Sequence, residues 1–167
     1  MTITLIGMPG AGKSMMGIEL AKAIGYAWID GDRAIEEKTG RKLQDIINDD
    51  GLDAFRRLEE EVLLSLAMDN TVVSTGGSAV YYARAMLNFK AHGPVVYLCV
   101  GKEEIVRRLG DYSKRGIVLA PGATIGDLYD ERTPLYEKYA DLIIECNGRA
   151  YATYQKDLND KIKALLK

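Results

Sequence analysis

The 167-residue chain has few of the residues on which metal sites, disulfide frameworks and membrane spans depend. Its single histidine, His92, excludes a histidine-rich metal site, and two cysteines, Cys99 and Cys146, make no disulfide framework. No apolar run approaches the length of a spanning helix, so we expect no membrane association. A net charge of −2 provides no basic surface for nucleic acid, and we expect none as a partner.

The length and the composition predict one globular domain over residues 1–167, with 47% hydrophobic and 28% charged residues. An apolar, strand-like segment at residues 2–6 begins the chain, so we expect no signal peptide. Both cysteines lie in apolar strand-like runs, which fits a reducing compartment. We therefore expect a cytoplasmic protein, and we expect it to be a monomer.

A glycine-rich segment, Gly7 to Ser14, fits the phosphate-binding pattern G-x-x-x-x-G-K-[ST]. A strand-like segment precedes it and a helix-like apolar pattern follows it, which is the setting that the pattern requires. Glycines let backbone N–H groups point at an anion, and the helix N-terminus adds a favourable dipole. The phosphate-binding residues predicted from this segment are Gly10, Ala11, Gly12, Lys13, Ser14 and Met15.

Two side chains of this phosphate loop have predicted roles toward ATP and Mg²⁺. Lys13 is expected to reach the β- and γ-phosphates, and the Ser14 hydroxyl is expected to bind Mg²⁺. An ordinary glycine turn before a helix is the alternative, but the fixed positions together with both flanks argue against it. The chain is thus predicted to bind a nucleoside triphosphate.

Predicted strands and helices alternate along the chain. The strands are predicted at residues 2–6, 26–29, 71–75, 95–100 and 142–146. The helices are predicted at residues 15–24, 32–38, 43–48, 53–68, 80–91, 102–109 and 151–166, with no element assigned between 126 and 142. Strands apolar along their whole length favour an α/β fold with a five-stranded parallel sheet flanked by helices. The irregular stretch 110–126 is predicted to be a lid over the phosphates.

Polar residues and glycines follow two of these strands, where ligands bind in open parallel sheets. Asp30 and Asp32 follow the second strand, and Gly76 and Gly77 follow the third. Beside a triphosphate, two carboxylates can hold Mg²⁺ through water and receive a hydroxyl proton. Two alternatives stay open: Asp32 as the cap of a helix beginning at Arg33, and the glycine pair as a plain turn.

Five separated motifs stand in the order and spacing of one family, and on them the chain resembles the shikimate kinases. They are the phosphate loop, Asp30-Gly31-Asp32, Gly51 with Phe55-Arg56-Arg57-Leu58-Glu59, Ser74-Thr75-Gly76-Gly77, and Glu131-Arg132-Thr133-Pro134-Leu135-Tyr136. The resemblance covers nearly the whole chain. It implies the P-loop NTPase fold of the nucleoside-monophosphate-kinase type, with ATP and Mg²⁺ used to phosphorylate a hydroxyl of shikimate.

The resemblance also implies roles for individual residues. Asp30 would organise Mg²⁺, and Asp32 would hold the substrate hydroxyls and act as the base. Arg115 matches the lid arginine, which would neutralise charge on the transferring phosphoryl group as an arginine finger does. Arg108 and Arg149 match the arginines that line the adenine site.

Arg56 and Arg132 match the two arginines that clamp the substrate carboxylate, beside the backbone of Gly76 and Gly77. The planar guanidinium fork pairs bidentately with a carboxylate, so the residue type suits this role. For Arg56 the alternative is an exposed helix face with intrahelical ion pairs. For Arg132 it is a pair with the adjacent Glu131.

The chain departs from the family pattern at two places. Ser78 stands where the family has a third glycine, and its side chain would crowd the substrate or offer it a hydroxyl. The lid continues Arg115-Gly116 where the family has Arg-Pro, and losing a proline loosens a backbone. Both changes concern acceptor specificity, so the same chemistry on another polyhydroxylated or hydroxy-carboxylic acid is the alternative function.

Three other function classes fit the sequence less well. A regulatory module that no longer transfers phosphate is disfavoured because Lys13, Ser14, Asp30, Asp32 and Arg115 are all present. A GTPase would carry a guanine-reading Asn-Lys-x-Asp motif, which the chain lacks. A nucleoside monophosphate kinase would need a base-sized acceptor pocket, whereas paired arginines suit a small acid.

Overall fold

Five parallel strands form one sheet in the computed structural model, which describes residues 1–110 and 117–167. The order across the sheet is β2-β3-β1-β4-β5. The strands are β1 (Thr2–Ile6), β2 (Ala27–Asp30), β3 (Thr71–Ser74), β4 (Val95–Cys99) and β5 (Leu142–Glu145). The predicted parallel sheet is confirmed.

Helices connect the strands and cover the sheet. They are α1 (Lys13–Ile24), α2 (Gly31–Thr39), α3 (Leu43–Asp50), α4 (Leu52–Ser65), α5 (Ala83–His92), α6 (Lys102–Leu109), α7 (Ile125–Tyr139) and α8 (Tyr151–Leu165). No helix in residues 1–110 or 117–167 has both the length and the apolar composition needed to cross a bilayer.

The centre of the sheet is fully buried, and its register sets the position of the site. Leu5, Val73 and Val96 have no exposed surface, as expected for strands covered on both faces. Ser74 of β3 is aligned with Leu5 of β1 on one side and with Asp30 of β2 on the other. Because the strands are parallel, the segments that follow β1, β2 and β3 emerge side by side at one edge.

Helix α7 was not predicted from the sequence, although it begins with a recognisable signal. The Thr124 hydroxyl accepts from the Asp127 N–H, and the Asp127 carboxylate accepts from the Thr124 N–H, which is a capping box. Pro134 lies inside the helix, where proline is normally a sign that a helix ends. The irregular stretch predicted as a lid therefore ends at Thr124.

The predicted helix at 80–91 is two elements. A short 3₁₀ turn covers Ala79–Tyr81, and α5 begins only at Ala83. Tyr82 separates them with φ −101° and ψ 89°, a conformation outside the helical region. The 3₁₀ turn contacts α4 and α7, whereas α5 contacts α4 and β1.

Gly17 allows α1 to lie close to β3. A Cβ at Gly17 would lie 2.7 Å from Trp28 Nε1 and closer still to Ser74 Oγ. Those two atoms are hydrogen-bonded at 3.0 Å, and Ser74 Oγ also donates to the Lys13 carbonyl at 2.8 Å. The Ser74 hydroxyl thus joins β2, β3 and the start of α1, in space that only a glycine leaves open.

We predict that Gly17→Ala destabilises the protein by ~1–3 kcal/mol because the new methyl group displaces the Trp28–Ser74 hydrogen bond. An exposed helical glycine replaced by alanine would instead gain about 1 kcal/mol. The measurement is the free energy of unfolding in urea. Gly126→Ala is the matched control, because the nearest atom to its Cβ is Lys102 Cε, the end of a flexible side chain. Equal stabilities of the two variants would contradict the role of Gly17.

Candidate active site

The phosphate loop connects β1 to α1, and its backbone carbonyls bind the side chain of Lys13. Gly10 and Gly12 have φ of +79° and +91°, which favours glycine at both positions. The Lys13 ammonium donates to the carbonyls of Gly7 (2.8 Å) and Met8 (2.7 Å). Burial lowers the pKa of Lys13 to about 8, and the charge of Asp32 opposes that shift. The lysine is therefore a buried cation with no anionic group in direct contact among the residues that the structure describes.

Asp30 links the phosphate loop to α2. Its Oδ1 accepts from the Arg33 N–H at 3.0 Å, and its Oδ2 accepts from the Ser14 hydroxyl at 2.6 Å. Asp30 is therefore the cap of α2, and the alternative that Asp32 caps a helix beginning at Arg33 is wrong, because the helix begins two residues earlier, at Gly31. The Ser14 and Asp30 oxygens together form a small oxygen-rich site.

Asp32 faces the phosphate loop from the first turn of α2. Burial and, to a smaller extent, the nearby Asp30 raise its pKa to about 6, and the charge of Lys13 opposes the shift. A Cβ at Gly76 would lie 2.5 Å from Asp32 Oδ1. Gly76 is thus required for the backbone after β3 to pass beside this carboxylate, so it is more than a plain turn residue.

Gly77 lies between the phosphate loop and Arg132. A Cβ at Gly77 would lie 2.6 Å from Pro9 Cδ and 2.9 Å from Arg132 Nη1. The Gly77 carbonyl also accepts from the Tyr136 hydroxyl of α7 at 2.7 Å. The second glycine therefore brings α7 and the phosphate loop together at the end of β3.

Arg132 is a buried cation, with only 5% of its surface exposed. Its Nε donates to the Tyr81 hydroxyl at 3.3 Å, and its guanidinium carbon lies 5.2 Å from the centre of the Tyr81 ring. Glu131 accepts from Tyr81 and makes no salt bridge with Arg132, so the predicted alternative of a Glu131 pair is wrong. Within residues 1–110 and 117–167, no carboxylate lies within 4 Å of the Arg132 guanidinium.

Arg56 extends from α4 toward the same space and is exposed. The structure shows no salt bridge to Arg56 in residues 1–110 and 117–167, so the alternative of intrahelical ion pairs is wrong. Glu60 pairs instead with Arg84 at 3.7 Å, and Glu59 accepts a hydrogen bond from Ser78 at 2.5 Å. The guanidinium of Arg56 is thus available for a ligand.

One cavity of about 880 Å³ brings most of the predicted site residues together. Its wall includes Gly10, Gly12, Lys13, Ser14, Met15, Asp30, Asp32, Arg56, Gly76, Gly77 and Arg132. Residues 117–121, from the stretch predicted as a lid, also line the cavity. Arg115 lies outside the described residues.

Three predicted residues do not line this cavity. Ala11 is buried and donates its N–H to the Met8 carbonyl. Arg108 contacts the loop from outside, through a 3.1 Å hydrogen bond to the Gly10 carbonyl. Arg149, between β5 and α8, forms a salt bridge of 3.5 Å with Asp157. The nucleotide contacts expected of these residues stay predictions.

Glu59 is a residue of the cavity wall that was not predicted. It is only 2% exposed, its Oε2 has no hydrogen-bond partner among the described residues, and burial raises its pKa to about 7. A signal was present in the sequence, since Phe55, Glu59 and Val62 are spaced as one buried stripe of α4. A carboxylate within such a stripe indicates a special environment.

The described residues contain no cluster of three or more His, Cys, Asp or Glu side chains arranged to hold a metal. Mg²⁺ in nucleotide-binding sites takes one or two protein ligands, with the remainder from phosphate oxygens and water. The Ser14 and Asp30 oxygens, joined by a 2.6 Å hydrogen bond, fit that requirement.

Comparison with known proteins agrees with this geometry. The family model for shikimate kinase matches residues 9–163. Shikimate kinase of Mycobacterium avium is 40% identical over 148 residues, which are 87% of this chain and 84% of that protein. The structure of shikimate kinase from Acinetobacter baumannii in complex with shikimate has 34% identity and a TM-score of 0.83, over 99% of this chain and 92% of that chain.

Shikimate kinase from Aquifex aeolicus has 28% identity and a TM-score of 0.86, over 99% of this chain and 98% of that chain. These likenesses confirm the predicted P-loop fold of the nucleoside-monophosphate-kinase type. Family model, sequence relatives and structures agree over almost the whole length. The chain belongs to the shikimate kinase family.

Proposed function

We propose that the protein transfers the γ-phosphoryl group of ATP to a hydroxyl of shikimate, giving shikimate 3-phosphate and ADP on the route to aromatic amino acids. The observation that carries the choice of an acidic acceptor is the environment of Arg132. A buried guanidinium without a carboxylate partner is costly, and an anionic ligand in the cavity supplies the missing countercharge. The acceptor of this family, shikimate, has one carboxylate for that position.

The phosphate loop would bind ATP through its backbone N–H groups, with Lys13 moving from loop carbonyls to the β- and γ-phosphates. That exchange replaces neutral acceptors at 2.7 and 2.8 Å with charged ones, and charge-assisted hydrogen bonds are about twice as strong. The phosphates also raise the affinity of Lys13 for its proton. Lys13 is then a cation positioned against the charge that develops during transfer.

Mg²⁺ would be held by Ser14 directly and by Asp30, whose oxygens already lie together. The bound ion supplies charge neutralisation on the β- and γ-phosphate oxygens. Asp30 keeps its second oxygen on the Arg33 N–H, so the cap of α2 fixes the direction of the metal-binding oxygen. The cap and the metal ligand are one residue.

Asp32 would orient the acceptor hydroxyl and accept its proton. With a pKa of about 6, Asp32 is mostly ionised at neutral pH. It is also basic enough to accept the acceptor hydroxyl's proton as phosphoryl transfer proceeds. Gly76 lies against its Oδ1, which limits the directions from which a ligand can approach. The carboxylate is thus directed into the cavity beside Lys13.

Arg56 and Arg132 would bind the acceptor carboxylate, with the backbone of Gly76 and Gly77 beside it. Arg56 is exposed and Arg132 is buried, so the ligand carboxylate would contact one solvated guanidinium and one desolvated guanidinium. Arginine is suited to both positions because its fork makes two parallel hydrogen bonds.

The remaining assignments rest on the family resemblance. Arg115 would neutralise the transferring phosphoryl group, while Arg108 and Arg149 would line the adenine site. The proximity of Arg108 to Gly10 supports its place near the nucleotide. We also propose that the protein acts as a monomer in the cytoplasm.

The direct test is an assay of purified protein with Mg-ATP and shikimate. We expect ADP release that depends on shikimate, with one phosphate ester formed per ADP, measured by a coupled assay and by phosphorus NMR. Lys13→Ala should retain less than about a tenth of the activity, equivalent to ~1.4 kcal/mol or more of barrier. A panel of other hydroxy acids is the control. Faster ADP release with one of these acids than with shikimate would support the kinase activity but contradict shikimate as the acceptor.

Asp32→Asn should lower kcat by about tenfold or more, while the KM for ATP changes by less than about threefold. The amide has nearly the same shape but neither accepts the hydroxyl proton nor carries the charge. Steady-state kinetics with each substrate varied in turn gives both constants. An unchanged kcat with a raised acceptor KM would reassign Asp32 to acceptor positioning alone.

Arg132→Lys should raise the acceptor KM by about tenfold or more, since a hydrogen bond between charged groups contributes ~1.5–3 kcal/mol. Arg56→Lys should have a smaller effect in the same direction, because Arg56 is exposed. ATP affinity should barely change in either variant.

Arg57→Lys is the matched control, since Arg57 is exposed on the same helix and does not line the cavity. The amide of shikimate serves as the complementary probe. Wild type should discriminate against the amide, and Arg132→Lys should do so much less. Equal use of shikimate and its amide by wild type would remove the carboxylate clamp from the proposal.

A further inference from the structure

Ser78 and Glu59 form a side-chain pair in the wall of the acceptor cavity. Ser78 follows Gly77 directly, and its hydroxyl donates to Glu59 Oε1 at 2.5 Å. Both residues line the cavity that also contains Arg132. The Ser78 hydroxyl, expected from the sequence to crowd or contact the substrate, is thus already engaged by a carboxylate from α4.

The carboxylate of Glu59 depends on that hydrogen bond. Glu59 is 2% exposed, and a buried carboxylate is costly unless hydrogen bonds or countercharges compensate it. In residues 1–110 and 117–167, Oε2 has no hydrogen-bond partner, and Oε1 has Ser78. The Ser78 hydroxyl therefore makes the side-chain hydrogen bond that fixes the direction of this carboxylate.

Charged and titratable groups reach Glu59 from each neighbouring element. Asp32 on α2, Arg132 on α7, and Tyr82 between the 3₁₀ turn and α5 all act on the charge of Glu59. Burial and, to a smaller extent, Asp32 raise the pKa of Glu59 to about 7, against the opposing effects of the Ser78 hydrogen bond, Arg132 and Tyr82. Near neutral pH the protonated and ionised forms of Glu59 are thus both populated.

We propose that Ser78 is a positioning residue that holds Glu59 as an oriented carboxylate in the wall of the cavity that contains Arg132, and thereby sets how the affinity for an acidic acceptor changes with pH. The proposal rests on the proposed function, because it requires an acceptor carboxylate at Arg132. A bound carboxylate places a second negative charge beside Glu59, so acceptor binding and protonation of Glu59 favour each other. By linkage, the acceptor KM rises as pH rises through the titration of Glu59.

The kinetic test follows the acceptor KM from about pH 5.5 to 9 in wild type, Ser78→Ala, Ser78→Gly and Ser78→Thr. Without the donated hydrogen bond the carboxylate is less stable, so the midpoint of the KM profile should move upward by at least ~0.5 pH unit in the alanine and glycine variants. Threonine keeps the hydroxyl and should restore the wild-type midpoint. The kcat at saturating acceptor should change by less than about threefold.

Glu59→Gln is the control that shows whether the pH dependence of the acceptor KM comes from Glu59. In that background, Ser78→Ala should leave the KM profile unchanged, although Asp32 still titrates in the cavity. Superimposable profiles of wild type and Ser78→Ala would overturn the proposal. A displacement that persists in the Glu59→Gln background would overturn it as well, because Ser78 would then act through another group.

A second readout needs neither acceptor nor catalysis. The pKa of Glu59 rises from 4.5 to about 7 on folding, so the folded protein binds the proton more tightly and stability falls as pH rises through that window. The melting temperature of wild type should therefore fall relative to Glu59→Gln between about pH 4.5 and 7. With Ser78→Ala the fall should continue to higher pH.

The two readouts separate the two proposals. If wild type fails to phosphorylate shikimate while the stability window behaves as expected, the proposed function fails, and with it the linkage to an acceptor. If the enzyme is active and the stability window is the same with and without the Ser78 hydroxyl, the role of Ser78 is wrong and the proposed function stands.

Discussion

The structure depends on keeping charged groups buried in one cavity without pairing them with each other. Lys13, Glu59 and Arg132 are each less than one-tenth exposed. The fold gives each of them neutral partners: loop carbonyls for Lys13, a serine hydroxyl for Glu59, and the hydroxyl and ring of Tyr81 for Arg132. Neutral partners compensate the burial of a charge only in part, so each of these groups keeps an unmet requirement for countercharge.

The parallel sheet makes this arrangement possible because it delivers three chain segments to the same edge. The phosphate loop follows β1, the acidic motif follows β2 and the glycine pair follows β3. The glycines then remove the side chains that would keep these segments apart, since a Cβ at Gly76 or Gly77 would collide with Asp32 or Pro9. The absence of a Cβ at Gly76 and Gly77 thus allows the segment after β3 to pass close to Asp32 and to the phosphate loop.

Local patterns in the sequence predicted the strands, most helices and the phosphate loop, because hydrophobic periodicity and fixed spacings are read within one segment. No element was predicted over most of helix α7, although Thr124 and Asp127 form a capping box at its start. The helix contains Pro134, a residue that normally ends a helix. Glu59 was missed for a different reason. Its partner Ser78 lies 19 positions away on another element, and no pattern within α4 specifies what packs against it. The roles of the cavity residues remain predictions from the resemblance and the geometry.

The hydrogen bond between Trp28 and Ser74 has a consequence for experiments in solution. Trp28 is the only tryptophan of the chain, and its indole N–H reaches the phosphate loop through one hydroxyl, Ser74 Oγ, which contacts the Lys13 carbonyl. The indole is half-buried on an edge strand, where its emission responds to changes in polarity and hydrogen bonding. The protein therefore carries its own fluorescent reporter, which a single hydroxyl connects to the backbone of Lys13.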